Sequence, residues 1–317
     1  MSLSILLASL FTFVQINCEN LFDVQHDEGF NDYEYLPSGN RKWDSHKYWT
    51  KLERISRAII SCGENGDGWS LPDMVTLCEV ENDTVMRGLT RRSLLREAHY
   101  EYVMTQGNDE RGVDVALLYS PFSFALIDHY SLRVPKVEGR HDTRDVLYAK
   151  GLIVSGDTLH VLAAHAPSRI GGKAAERQRW ALVEMLCATV DSIKAVSPDA
   201  CILLAGDFNE EKGSKLFNYL SRSGIYSLSE EARGKHGARG TYKYKGHWGS
   251  LDHIFAMGSI REWLVDCYIN DATFLLEEDE KYGGVQPFRT YIGRRYHGGT
   301  SDHLPLVATF NLRKNRE

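Results

Sequence analysis

The feature that most restricts the fold of this chain is a succession of short strand-like apolar runs that alternate with helical patterns along its length. Leu10–Ile16, Met74–Cys78, Val113–Tyr119, Phe122–Ile127, Leu147–Val154, Leu159–Ala164, Cys201–Ala205, Leu251–Ala256 and Leu306–Phe310 read as strands. Tyr48–Cys62 sets Leu52, Ile55 and Ile59 on one helical face, and Lys173–Val196 does the same with Ala175, Trp180, Leu182, Val183 and Leu186. Several runs follow one another without room for a helix, so hairpins lie inside the α/β pattern. That speaks against a purely parallel, doubly wound sheet. It favours a mixed sheet, or two packed sheets with helices outside. No repeat or low-complexity linker interrupts the 317 residues, which are expected to form a single domain with its core at about residues 10–312.

Apolar residues make up 43% of the chain and charged residues 25%, enough for a substantial core. A net charge of −6 argues against non-specific grip on long nucleic acid, which needs a basic excess to displace counterions, although a local basic patch would still serve. The six cysteines contain no C-x-x-C pair, so free, mostly buried thiols are expected rather than a disulfide framework or a zinc site. Leu3–Phe13 is apolar but has no preceding Lys or Arg and no small-x-small cleavage site. It is also shorter than the roughly 20 residues a membrane span needs. It reads as a first strand running into Val14-Gln15-Ile16, with residues 1–9 as its extension or as the remnant of an export signal. The expected compartment is the cytoplasm, with export after signal cleavage as the alternative. No transmembrane segment is expected and no protein partner is inferred.

Two long polar loops stand out. Residues 23–47 hold Tyr33, Tyr35 and Trp43, which either stack on a base or sugar or pack the loop itself. Residues 277–303 gather Arg289, Arg294, Arg295 and His297, a cationic cluster suited to a small or medium anionic substrate.

Polar residues of a particular kind sit where the strands end. Ile202-Leu203-Leu204-Ala205-Gly206-Asp207-Phe208-Asn209 is a buried strand, a glycine turn, then a carboxylate and an amide two residues apart. In extended backbone those two share a side, where one orients water and the other binds an oxyanion; the plain alternative is a helix cap. Ser301-Asp302-His303 pairs an oxygen ligand suited to a magnesium-like cation with the side chain that titrates near neutrality. Asp252 lies inside an apolar strand, an expensive place unless it is paired, for instance by fixing the tautomer of a catalytic histidine. Asn17 and Glu19 end the first strand and Glu79 and Glu81 end another; one member of each pair suits a hard cation. His165 and Arg169 follow a further strand, and Arg111 precedes one, each in a position to meet a phosphate. Each motif alone has an ordinary explanation as loop polarity or capping. Their joint recurrence at strand ends does not.

In this order, Asn17/Glu19, Glu79, His165-Ala-Pro-Ser-Arg169, Gly206-Asp-Phe-Asn209, Ser250-Leu-Asp252 and Ser301-Asp-His303 resemble the signature of the endonuclease/exonuclease/phosphatase superfamily over residues 10–312. The resemblance implies a deoxyribonuclease I-like, four-layer sandwich: two face-to-face mixed β-sheets flanked by helices, α/β (α+β) in class. It implies hydrolysis of phosphate esters, mono- or di-, by in-line attack of an activated water with Mg2+ or Mn2+. Glu79 is then the principal metal ligand with Asn17 and Asp302 beside it. Asp207 and Asn209 position water and phosphoryl oxygen, and His303, oriented by Asp252, is the base or stabilises charge. His165 and Arg169 bind phosphate oxygens. Glu19 stands where several relatives have Asp.

Three competing readings remain distinct. A nuclease on DNA or RNA is the alternative within the same chemistry. A non-catalytic binding protein on the same scaffold would be expected to lack part of the acid and imidazole set, and none of that set is missing. A zinc hydrolase needs paired histidines at ligand spacing such as H-x-x-x-H, which the sequence lacks.

Overall fold

The computed structural model describes residues 10–65, 68–107 and 109–312. The reading of residues 1–9 as leader or strand extension, and Asn108, lie outside these. In chain order the strands of the two large sheets are β1 (Leu10–Leu21), β2 (Met74–Val80), β3 (Glu101–Met104), β4 (Asp114–Tyr119), β5 (Phe124–Leu132), β6 (Val146–Ile153), β7 (Thr158–His165), β8 (Cys201–Asp207), β9 (Tyr226–Ser227), β10 (Asp252–Met257), β11 (Leu264–Ile269) and β12 (Leu306–Asn311). The first sheet runs β11-β12-β1-β2-β4-β3 and the second β9-β10-β8-β7-β6-β5. Each is built around one parallel pair, β1 with β2 and β7 with β8, and is otherwise antiparallel.

Side-chain alternation along the strands divides the apolar residues among three packing layers. Phe11 and Phe13 on β1 face Val161, Ala163, Leu203 and Ala205 of the other sheet. The residues between them turn outward. Val14 and Ile16 pack under helix α1 (Ser45–Ser61), while Leu162, Ile202 and Leu204 pack under α2 (Gly172–Val196) and α3 (Lys215–Arg222). The result is the four-layer sandwich that the sequence motifs imply. The N-terminus of α1 is fixed by Asp44, whose side chain accepts from Lys47 N, a cap worth about 1 kcal/mol.

At one end of the inter-sheet core the inward positions turn polar: Gln15 and Asn17 on β1, Thr76 on β2, His165 on β7, Asp207 on β8 and Asp252 on β10, all buried. Here the backbone also leaves regular strand geometry. Glu19, Asn20, Glu79 and Asn209 adopt left-handed φ angles of 50°, 56°, 62° and 51°. Between Asn17 and Leu21 the β1–β2 register shifts, the mark of a bulge. Such backbone in non-glycine residues carries a cost of order 1–3 kcal/mol and persists where its surroundings hold it.

Several expected boundaries move. The run expected at Phe122–Ile127 begins at Phe124 and continues to Leu132, with Phe122 in the preceding turn and exposed. Strands β3 and β11 were not anticipated, because Glu101–Met104 and Leu264–Ile269 lack a clean apolar alternation. The loop at 277–303 is largely organised into short hairpins, Leu276–Glu278 with Val285–Pro287 and Tyr291–Ile292 with Arg295–Tyr296. All six cysteines are free, five of them buried. Among the described residues no helix is long and apolar enough to cross a membrane.

Candidate active site

The polar end of the core opens into a cavity of about 1070 Å³. Asn17, Glu79, His165, Asp207, Asn209, Asp302 and His303 all line it, as do Arg111 and Arg169. Asp252 stands behind them, buried and off the cavity wall. The residues singled out in the sequence therefore come together, although they span the chain from Asn17 to His303.

Their contacts form one connected network. Asp252 Oδ2 lies 2.6 Å from His303 Nδ1, and its Oδ1 accepts from Gln15 Nε2 at 3.3 Å. That contact turns His303 Nε2 toward the cavity, 3.9 Å from Asp207 Oδ2. Asp207 Oδ2 also accepts from Asn17 Nδ2 at 2.9 Å, a bond that ties the two sheets together across the site. Its Oδ1 accepts the backbone N–H of Asn209 at 2.9 Å. His165 Nε2 sits 3.7 Å from Glu79 Oε1 and 3.9 Å from Asp207 Oδ2.

Burial sets the protonation of these groups. Asp207 is pushed up to about 7, because desolvation outweighs the help of the neighbouring His303. Burial alone would lower His303, but Asp252, Asp207 and Asp302 around it raise it well above the usual histidine range. These carboxylates favour the imidazolium form of the ring. His165 goes the other way: desolvation, reinforced by Arg144 and Arg111, drives it well below that range and keeps the ring neutral. Its Nδ1 has no hydrogen-bond partner among the described residues.

Two sites owe their geometry to backbone kinks. With Met74, Thr76 and Cys78 facing inward, a regular β2 would send Glu79 outward with Val75 and Leu77. The left-handed turn at Glu79 reverses this and brings its carboxylate into the cavity, with Oε2 accepting from Asn20 N at 2.9 Å. Extended backbone likewise ends at Asp207, so Asn209 does not reach the site by alternation as the sequence suggested. It arrives through its own left-handed turn, with Nδ2 donating to Ala166 O at 3.1 Å. Gly206 is required before it. A Cβ there would stand 1.8 Å from Ala164 O on the neighbouring strand.

One sequence expectation needs correction, and two that were left open are decided. The Arg289–His297 cluster does not line the cavity: Arg289 pairs with Asp302 at 3.0 Å, His297 pairs with Glu277, and Arg294 and Arg295 are exposed elsewhere. The cationic side chains that do line the cavity are Arg111, Arg140, Arg144, Arg169 and Lys245, with Arg111 and Arg144 beside Asp109 and Arg169 beside Glu211. Tyr35 and Trp43 pack their own loop, Tyr35 stacked on Phe22 and Trp43 donating to Phe22 O, while Tyr33 is exposed away from the cavity. Of the paired strand-end residues, Asn17 and Glu79 reach the cavity and Glu19 and Glu81 do not.

Sequence reasoning also missed contributors. Arg144 is buried and bridges Asp109 (3.1 Å) and Ala166 O (3.0 Å) beside His165; nothing in its local pattern distinguishes it. Gln15 had a readable signal, an amide inside the apolar run Phe13-Val14-Gln15-Ile16 that burial would oblige to find partners. The hairpin Tyr242–Tyr244/His247–Gly249 adds Tyr242 and Trp248 to the opposite wall, with the Tyr242 ring 5.0 Å from that of His303.

The sequence model of the Endonuclease/Exonuclease/phosphatase family matches residues 12–313, nearly the whole chain. The chain belongs to that family. Its members are generally hydrolases of phosphoester bonds that depend on a divalent metal. Similar solved structures include an endonuclease/exonuclease/phosphatase from Bacteroides vulgatus, 15% identical over 95% of this chain and 98% of that one, with a TM-score of 0.61. Truncated Caenorhabditis elegans TDP2 is 17% identical over 95% and 97%, with a TM-score of 0.57. The human Nocturnin catalytic domain with bound sulfate anion is 17% identical over 95% and 94%, with a TM-score of 0.54. At such identities the likeness concerns the fold. No curated protein matches the sequence.

The donors available fit a hard cation. Glu79, Asn17 and Asp302 offer carboxylate and amide oxygens around one mouth. Among the described residues no three His, Cys, Asp or Glu side chains stand close enough to hold an ion by themselves. Magnesium matches that arrangement, because it keeps several waters and takes one or two carboxylates plus substrate oxygens.

Proposed function

We propose that this protein hydrolyses phosphate esters of small or medium anionic substrates, with Mg2+ or Mn2+ held by Glu79, Asn17 and Asp302. The observation that carries this reading is the Asp252–His303–Asp207 chain, set against Asn17 and Glu79 at one cavity mouth. The cation, when bound, supplies positive charge to the non-bridging and leaving oxygens of the phosphoryl group.

The protein's own groups divide the remaining work. Asp207 orients the attacking water and takes its proton, a role suited to a carboxylate lifted toward neutrality by burial. Asn209, fixed through Ala166 O, has an amide hydrogen left for a phosphoryl oxygen. His303, kept charged by Asp252, stabilises negative charge developing on phosphorus-bound oxygen. His165 offers Nε2 to the same group, and Arg111 and Arg169 bind peripheral phosphate oxygens. The same reading takes residues 10–312 as one domain, since both sheets contribute to the site. The net charge of −6, with cationic side chains such as Arg111, Arg140, Arg169 and Lys245 available at the cavity, favours a compact anion over long duplex DNA.

A panel of bis(4-nitrophenyl) phosphate, 4-nitrophenyl phosphate, nucleotides, inositol phosphates, a choline phospholipid, plasmid DNA and single-stranded oligonucleotide tests the reading. Cation-dependent turnover of a small ester is expected. Preference for DNA or RNA would move the function to a nuclease. No turnover of any ester, together with binding of one of them, would leave a non-catalytic binding protein.

A further inference from the structure

Resting on the phosphoesterase reading, we propose that Lys51 and Glu19 are positioning residues that clamp the segment 288–303 from behind and so set the places of Asp302 and His303. Neither residue lines the cavity.

Lys51 projects from α1 among Leu52, Ile55 and Ile59, and is 1% exposed. A buried ammonium costs several kcal/mol unless its donors and its charge are answered, and a leucine or methionine would fill the same space without that penalty. Its Nζ donates to Thr300 O at 2.6 Å and to Thr290 Oγ1. No ion pair reaches it among the described residues; burial lowers its pKa, and the carboxylates of Glu19, Asp302 and Glu79 oppose that shift only in part.

Glu19 grips the same segment from β1. Its Oε2 accepts from Thr290 N at 2.7 Å and its Oε1 from Tyr291 N at 3.2 Å, so both oxygens are engaged by backbone donors. Thr290 is therefore held twice, at its amide by Glu19 and at its hydroxyl by Lys51. From there the segment folds back on itself. His297 N donates to Thr290 O, Gly299 N to Arg289 O, and Thr300 N to Phe288 O.

This short ladder ends at Thr300, immediately before Ser301-Asp302-His303. Ser301 Oγ then donates to Asn17 O at 2.6 Å, and Arg289 pairs with Asp302. The placement of Asp302 and His303 against Asn17 and Asp207 thus rests on tethers that lie outside the cavity. A side chain that only filled the core would have no reason to bond both arms of this loop.

Lys51→Met keeps chain length and removes charge and donors. Thr290→Val removes a single hydroxyl. For each, kcat and KM are measured on a chromogenic phosphodiester with magnesium, alongside melting midpoint and amide hydrogen exchange. The expected result for Lys51→Met is a fall in kcat of about 10- to 100-fold with KM within about twofold. Exchange should quicken in residues 288–303 and stay native in β7 and β8. Thr290→Val should show the same pattern at smaller size, and decides the matter if Lys51→Met fails to fold. Native kcat with native exchange, or faster exchange spread over the whole molecule with native kcat, overturns the proposal. If the wild-type protein turns over no phosphoester, the functional reading fails instead. The clamp then stands or falls on the exchange pattern alone.

Discussion

Asn17 and Glu79 line the cavity, whereas Glu19 and Glu81, two positions further along the same strand ends, are turned into the scaffold. Glu19, Glu79 and Glu81 carry the same carboxylate; what differs among them is how their oxygens are spent. Both oxygens of Glu19 accept backbone N–H groups, and Glu81 Oε2 accepts from Asp23 N at 2.7 Å. Glu79 gives one oxygen to Asn20 N and leaves the other facing Arg111 and His165, each at 3.7 Å. A strand-end acid is available to the site when the oxygen its backbone donors leave open also faces the cavity, as in Glu79 but not in buried Glu81.

The sharpest way to break this contrast is to neutralise the cavity side. Glu79→Gln, Asp207→Asn and His303→Ala are each expected to lose about 10²–10³ in kcat, or about 3–4 kcal/mol of transition-state stabilisation, while staying folded. Near-native turnover by any of them would remove the role assigned to it. Asp252→Asn acts one step back. It keeps the shape but can no longer hold His303 charged, so a loss of about 10- to 100-fold in kcat with little change in KM is expected. A rise in KM alone would mean that Asp252 serves binding.

Glu81 probes the scaffold side. Burial, with Asp23, Asp27 and Asp32 nearby, pushes its carboxyl up to about 9. Because the folded-state value lies above the unfolded one, the folded protein binds the extra proton between these limits. Stability from this group therefore falls as pH rises from 4.5 toward about 9, the reverse of a salt-bridged acid. Glu81→Gln should raise the melting midpoint by roughly 2–4 °C more at the alkaline end of that window than at the acidic end, with kcat native. An equal shift at both ends would contradict the assignment. The smallest effect is expected from Arg169→Gln. Half exposed and already paired with Glu211 at 3.4 Å, Arg169 should change KM by roughly threefold, under about 1 kcal/mol.

The contrast also marks where the sequence stops being readable. Strands such as Cys201–Ala205 were legible as short apolar runs, and Asp252 because a carboxylate inside an apolar strand needs a partner. The residue pattern alone did not choose between Glu79 and Glu81, or Asn17 and Glu19; only the family resemblance named Glu79 and Asn17, since the choice depends on left-handed kinks at Glu19, Asn20 and Glu79 that no alternation rule contains. The cationic run at 289–297 misled because charge density in sequence says nothing about which acids will neutralise it. Arg144 and Lys51 escaped notice for the opposite reason: each is a lone cation whose meaning comes entirely from distant partners, Asp109 and Ala166 for one, Thr290 and Thr300 for the other.

The most direct measurement is hydrolysis of a small phosphodiester by wild-type protein and Glu79→Gln across a magnesium titration begun after exhaustive chelation. The wild-type protein should start without turnover and regain it as the cation is added, and Glu79→Gln should need far more cation and recover only a small fraction. Full wild-type turnover in the chelated sample, or identical titration curves for the two proteins, would contradict the account.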